Sequence, residues 1–235
     1  MKKTIALLSI AVLGSMTMTS CKKKGCTDPT AANYNDKAKK DDGTCKYTPH
    51  ITINGSADTT ISVGSSYADL GATATNHDGT AATVTTDNQV DSSATGVYYV
   101  NYSATNENGT ATAARKVTVA IQQDNWTVSW NVTSTCSSTQ FPLGSGPTIS
   151  AGASANSLTI DGMFTLVGGT ANATVDGSHI TIPQQTISAT VGDINFSGTG
   201  TMSNDGKIIN ITYTYENTAP LIGGSGTCVA TYVKQ

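Results

Sequence analysis

The spacing of turn-forming pairs narrows the fold of this chain more than any other feature. Asp78-Gly79, Asn108-Gly109, Asp161-Gly162, Asp176-Gly177 and Asp205-Gly206 each separate short runs in which apolar and polar residues alternate. Asn-Gly and Asp-Gly accept the positive φ of tight hairpin turns, and a period of two sends one face of a strand into a core. In "GVYYVNYSAT", Tyr98, Val100, Tyr102 and Ala104 share a face, and "ARKVTVAI" returns with Val117, Val119 and Ile121. No stretch after the first twenty residues keeps a helical apolar period, so the expected fold class is all-β. Only 12% of residues are charged and the formal net charge is −3. No nucleic-acid partner is expected of such a chain, because that binding depends on a basic face.

The start, "MKKTIALLSIAVLGSMTMTSC", has two lysines and then an apolar stretch too short for a bilayer, which takes about 20 residues. It reads as a secretory signal over residues 1–20. Met18-Thr19-Ser20-Cys21 resembles the bacterial lipobox, with Met18 where Leu is usual. The resemblance implies that Cys21 is lipidated and becomes the first mature residue, giving stable membrane anchoring by more than one acyl chain. Loss of Lys2 and Lys3 with the signal takes the formal charge from −3 to −5. Five cysteines are an odd number for an exported chain, and lipid on Cys21 leaves Cys26, Cys45, Cys136 and Cys228. Three connectivities remain open to these four, and local sequence favours Cys26–Cys45 with Cys136–Cys228 in an oxidising compartment.

Three units follow the signal: a lipidated, disulfide-stapled linker over 21–47, a β domain over 48–122 and a second over 123–235. The runs "ITINGSADTTISVGSSYADLGATATNHDGT" and "VDSSATGVYYVNYSATNENGTATAARKVTV" resemble an immunoglobulin-like domain first recognised in a pesticidal crystal protein. That resemblance implies a β-sandwich serving as a spacer or adhesive module. In the second domain, "NWTVSWNVTSTC" puts Trp126, Val128, Trp130, Val132 and Cys136 on one parity. "KIINITYTYEN" does the same for Ile209, Ile211, Tyr213 and Tyr215, and "GTCVATYVKQ" for Cys228, Ala230 and Tyr232. About eight sequential strands with hairpin turns point to an up-and-down antiparallel β-barrel, with a second β-sandwich as the alternative. "TSTC" and the final strand resemble the small calycin-like, or lipocalin-like, barrels of Bacteroidetes-type lipoproteins. In a closed meander the first and last strands are neighbours, which would let Cys136 face Cys228.

Catalytic groups are sparse. Ser178 and His179 follow Asp176-Gly177 in "DGSH", but adjacent residues on one hairpin do not make a triad relay. The two glutamates, Glu107 and Glu216, sit beside Asn at strand ends, and nothing singles out a pair among fourteen aspartates. Zinc, phosphate-loop and nucleotide motifs are absent, so no enzyme is expected. "CTDPTAANYNDKAKKDDGTC" resembles a short recurrent unit of bacterial exported proteins. Asp28, Asp36, Asp41 and Asp42 are oxygen donors of the kind calcium takes, making a structural calcium the one cofactor candidate. The spacing lacks the glutamate of an EF-hand, and Lys37, Lys39 and Lys40 oppose a cation, so a disulfide staple is the stronger reading. Trp126, Trp130, Tyr213, Tyr215 and Tyr232 point to the expected barrel interior, where they either fill it or line a small site. The reading is an outer-membrane lipoprotein, surface-exposed or periplasm-facing, acting in adhesion or ligand capture. Its partners would be the membrane through its lipid and a glycan, a small apolar ligand or an envelope protein. A lipocalin-type carrier and a structural partner in an envelope complex are the alternatives.

Overall fold

A computed structural model describes residues 22–137, 146–164, 168–189, 192–218 and 223–235. Cys21 and the signal lie outside them. Residues 22–47 form no regular element beyond an isolated bridge between Lys24 and Lys40. The Cys26–Cys45 disulfide closes this knot, whose buried residues are Cys26 and Ala31.

Seven strands then build a sandwich: β1 (His50–Ile53), β2 (Asp58–Ser62), β3 (Ala72–Thr75), β4 (Ala81–Ala82), β5 (Val84–Asn88), β6 (Gly96–Asn106) and β7 (Gly109–Ala120). One sheet runs β1-β3-β4 and the other β2-β7-β6-β5, with β2 parallel to β7. Val100, Tyr102 and Val117 are fully buried between them, packed on Ile51, Ile53 and Ala72. The alternation legible in β6 and β7 is thus the inward face of the sandwich.

The second unit is one sheet of eight antiparallel strands, curled into a half-barrel. It comprises β8 (Trp130–Cys136), β9 (Thr148–Ala151), β10 (Ser157–Phe164), β11 (Gly168–Asp176), β12 (His179–Ala189), β13 (Gly192–Met202), β14 (Ile208–Asn217) and β15 (Gly224–Lys234). Their spatial order is β8-β15-β14-β13-β12-β11-β10-β9. First and last strands pair, and Cys136 lies directly opposite Cys228, to which it is bonded. The expected closed barrel is corrected, because among the described residues β8 and β9 form no ladder and stand as the two edges. A short helix, α1 (Gln123–Trp126), packs against β9 and leads into β8. The Gln123 amide there donates to the carbonyls of Ser154 and Ser157 at 2.8 and 2.7 Å. The expected sandwich alternative is likewise absent, since one sheet wraps its own core.

Tight curling has a local cause in β13. A Cβ on Gly198 would stand 2.7 Å from the Cβ of Tyr213, its cross-strand partner, so the missing side chain lets the large ring sit inside the curl. The two units share an apolar core. Val63, Val119 and Ile121 of the sandwich join the cluster that contains Trp126 and the inner face of the half-barrel. Buried Asn125 donates to the Val63 carbonyl at 2.9 Å, and Thr95 N–H donates to the Asn204 carbonyl at 3.0 Å. The Asp205-Gly206 turn docks at the same place. Gly206 has φ +69° and its absent Cβ would meet Val63 at 2.8 Å, so both conformation and space require glycine.

Candidate ligand-binding surface

The five aromatic residues expected inside the second domain are all buried there. Trp126, Tyr213 and Tyr232 are 0–1% exposed, and Trp130 and Tyr215 only slightly more. Phe164 meets Phe196 edge-on at 5.4 Å and Tyr213 at 6.2 Å between ring centroids. These rings therefore fill the inner face. Burial pushes the Tyr213 and Tyr232 hydroxyls up from their ordinary value, as it does for a phenol denied water. Trp126 corrects the sequence parity, because it belongs to α1 rather than to a strand. Its carbonyl accepts from Trp130 Nε1 at 2.9 Å, which fixes the Trp130 indole at the seam.

The four aspartates proposed for calcium are not brought together. Among the described residues no three His, Cys, Asp or Glu side chains gather as a metal group. Instead the carboxylates stabilise local turns. Asp28 Oδ1 accepts from Thr30 N–H and Oγ at 2.9 and 2.7 Å, and Asp42 Oδ1 from the same groups of Thr44 at 3.1 and 2.6 Å. Asp41 accepts from Gly43 N–H, while Asp36 has no such bond among the described residues. The backbone and hydroxyl of Thr30, then the hydroxyl of Tyr47, hold Asp28 below its ordinary carboxylate value.

Tyr47 joins this knot to the sandwich. Its hydroxyl donates to Asp28 Oδ2 at 2.7 Å, and its ring lies flat on His77 at 3.7 Å with 6° between planes. Its carbonyl accepts from the amides of Asn106 and Asn108 at 2.9 and 3.3 Å. A depression of about 330 Å³ opens beside the stack. Most of its amide groups are already engaged: Asn106 also donates to Asn76 Oδ1, and Asn76 to Thr80. The depression is the seam of a docking contact.

Ser178 Oγ and His179 Nδ1 lie 3.4 Å apart in the exposed β11–β12 turn, and no carboxylate is hydrogen-bonded to that histidine among the described residues. The arrangement holds a serine and an imidazole but not the third, orienting group of a triad. One buried ionic group escaped sequence reasoning. Arg115, the chain's single arginine, is 3% exposed and lies 3.4 Å from Asp69, with its Nη2 donating to the Asn54 and Gly71 carbonyls. Asp69 also accepts from the hydroxyls of Tyr102 and Tyr67. Burial first, and then that bond to Asp69, push Tyr102 up to about 12. The signal was present, since Arg115 is in phase with Val117 and Val119. The network ties loop to sheet within the sandwich.

The outer face of the half-barrel gathers unengaged polar groups. The β12–β13 register shifts between Ile182 and Gln185, leaving Pro183 and Gln184 as a bulge. On the opposite edge of β12 the Gln185 side chain takes up the β11 backbone, bonding the Asn172 N–H and carbonyl at 2.9 and 2.8 Å. Beside the bulge lie two hollows of about 430 and 490 Å³ that share Gln184, Ser197 and Thr214. Together they form a trough across β12, β13 and β14 that ends at Ser225 of β15.

Residues 51–119 match the family model described as bacterial surface protein, Ig-like domain. No curated protein matches the chain. Among solved structures, the lipoprotein BT2262 from Bacteroides thetaiotaomicron is 14% identical with a TM-score of 0.31, covering 80% of this chain and 100% of its own. The CBM51-2 and INT domains of ZmpB from Clostridium perfringens are 14% identical with a TM-score of 0.24, covering 78% of this chain and 43% of theirs. At those scores neither structural likeness bears on function. The sequence match makes the first β domain similar to immunoglobulin-like modules of bacterial surface proteins, and it spans β1 to β7 almost completely.

Proposed function

We propose that this chain is a non-catalytic surface lipoprotein of the outer membrane, tethered through Cys21, that captures a ligand on its distal half-barrel. The observation that carries the reading is where the free chemistry lies. The inner face of the half-barrel is filled by apolar and aromatic side chains, while hydroxyls and amides without internal partners face outward beside the bulge. That distribution favours surface capture over a lipocalin-type carrier, which needs the interior that Tyr213 and Tyr232 occupy. The Ig-like sandwich acts as the spacer. Its shared core with the half-barrel supports a rigid arm rather than two beads on a string.

Cell fractionation with protease treatment of intact cells tests the reading. Wild-type chain is expected in the membrane fraction and cleaved from outside, and Cys21→Ser in the soluble fraction. Equal partitioning of both forms would remove the tether, and protection of the membrane-bound form from protease would remove surface capture.

A further inference from the structure

We propose that the outward trough beside the β12 bulge binds a neutral polysaccharide, held by rows of hydroxyl and amide side chains across adjacent strands. This rests on the capture reading above and gives it a ligand class. One row is Thr181, Thr199 and Thr212, which are direct cross-strand partners on β12, β13 and β14. A second is Gln184 on the bulge with the pair Ser197 and Thr214, and a third runs from Asn195 through Glu216 to Ser225. Neighbouring strands are about 4.8 Å apart, and same-face residues along a strand about 6.8 Å. The rows therefore present a regular grid of polar groups on one curved surface.

The chemistry of the grid selects the ligand. Thr181, Thr199, Thr212, Gln184 and Ser225 have side-chain groups with no hydrogen-bond partner among the described residues, and they come from four strands, with only Thr181 and Gln184 sharing one. Each hydroxyl offers one donor and two acceptor sites, and the glutamine amide offers both. A polyol presents the same mixture. An anion would need Arg or Lys, and neither lines the trough. A cation would find Glu216 alone, and an exposed carboxylate holds it weakly. An extended peptide cannot add as a strand, because β12, β13 and β14 are each paired on both sides. No exposed aromatic ring offers a stacking platform in the trough. Binding therefore depends on many modest hydrogen bonds repeated along a polymer, and a single sugar binds far more weakly than a chain of them.

The test is native affinity electrophoresis of the full chain carrying Cys21→Ser, in gels containing dextran, mannan or xylan, with polygalacturonate as the charged contrast. At least one neutral polymer is expected to retard the protein. The combined T181V/T199V/T212V variant removes three hydroxyls, keeps β-branched shape on exposed strand positions, and is expected to weaken that retardation about tenfold or more. T133V/T135V makes the same change on the outer face of β8 and is expected to leave it unaltered. Circular dichroism and melting confirm that both variants fold. Retardation by none of the neutral polymers, by polygalacturonate alone, or equally in the trough variant overturns the assignment. The capture reading fails separately. A surface-exposed chain that cross-links to an envelope protein but ignores polysaccharide keeps capture and loses the glycan.

Discussion

The knot at residues 22–47 and the half-barrel at its far end each carry one disulfide, yet the bond does different work in each. In the half-barrel, Cys136 and Cys228 join strands already held by a ladder and a filled core. In the knot, the bond closes a segment whose buried residues are the cysteine itself and one alanine. Chain entropy ranks them one way: the loops span 92 and 19 residues, which correspond to about 4.6 and about 3 kcal/mol. Structure ranks them the other way. Removing the larger contribution leaves a folded sheet, and removing the smaller leaves the knot only its turns, one bridge and the Tyr47 contact.

The largest effect is expected from Cys136→Ser with Cys228→Ser. Denaturant unfolding should show the half-barrel destabilised by up to about 4.6 kcal/mol, with a native far-ultraviolet spectrum retained below the transition. If the double variant fails to fold at all, the ladder and core are weaker than their burial implies. Cys26→Ser with Cys45→Ser should lower global stability far less. Hydrogen exchange would then show amides of residues 22–47 unprotected while β6 and β14 remain as slow as in wild type. Equal loss of protection across the sandwich would mean that the knot is a structural part of that domain.

The same contrast explains what the sequence disclosed. The half-barrel core was legible because β14 alternates without interruption, with Ile209, Ile211, Tyr213 and Tyr215 all buried. Trp126 was placed on the right side for the wrong reason, since a helical turn reaches the core from outside the strand parity. Closure was not legible, because a count of strands says nothing about which seam lacks a ladder. The trough was hidden for a related cause. It arises from register across three strands and a bulge, and only Pro183 inside a strand run hinted at it. The knot had no periodicity to read; its paired cysteines were visible as local chemistry, but its aspartates read as calcium donors and not as the Asp-x-Thr turns that two of them form. Its docking was not, because Tyr47 and His77 are brought together by the fold and not by any pattern.

That docking gives the next smaller effect. A double-mutant cycle with Tyr47→Ala and His77→Ala should yield a coupling of about 1 kcal/mol, the value of a well-stacked ring pair. The single Tyr47→Ala variant also loses the hydroxyl bond to Asp28, so its total should exceed that of His77→Ala. A coupling of zero would reduce the stack to a passive contact and the knot to a tethered bead.

The smallest effect is a response to acid confined to the knot. Asp28 is held below its ordinary value chiefly by the Thr30 backbone, then by the hydroxyls of Thr30 and Tyr47. A carboxyl whose folded pKa is depressed contributes its stability above the unfolded value, about 3.9, and loses it as pH falls through the folded one. The Tyr47 hydroxyl bond to Asp28 should therefore hold down to about pH 5, and should loosen only below the ordinary aspartate range. Tyr47 ring resonances followed from about pH 5 downward would show one step, absent in Asp28→Asn, while the resonances of Tyr213 stay fixed. The Asp28 carboxylate bonds only Thr30 and Tyr47 among the described residues, so the step should move local exchange without moving the melting temperature of the half-barrel. A matching step in Tyr213 would show that the knot, through the sandwich and its shared core, communicates with the far sheet, and the two stapled regions could no longer be treated as independent.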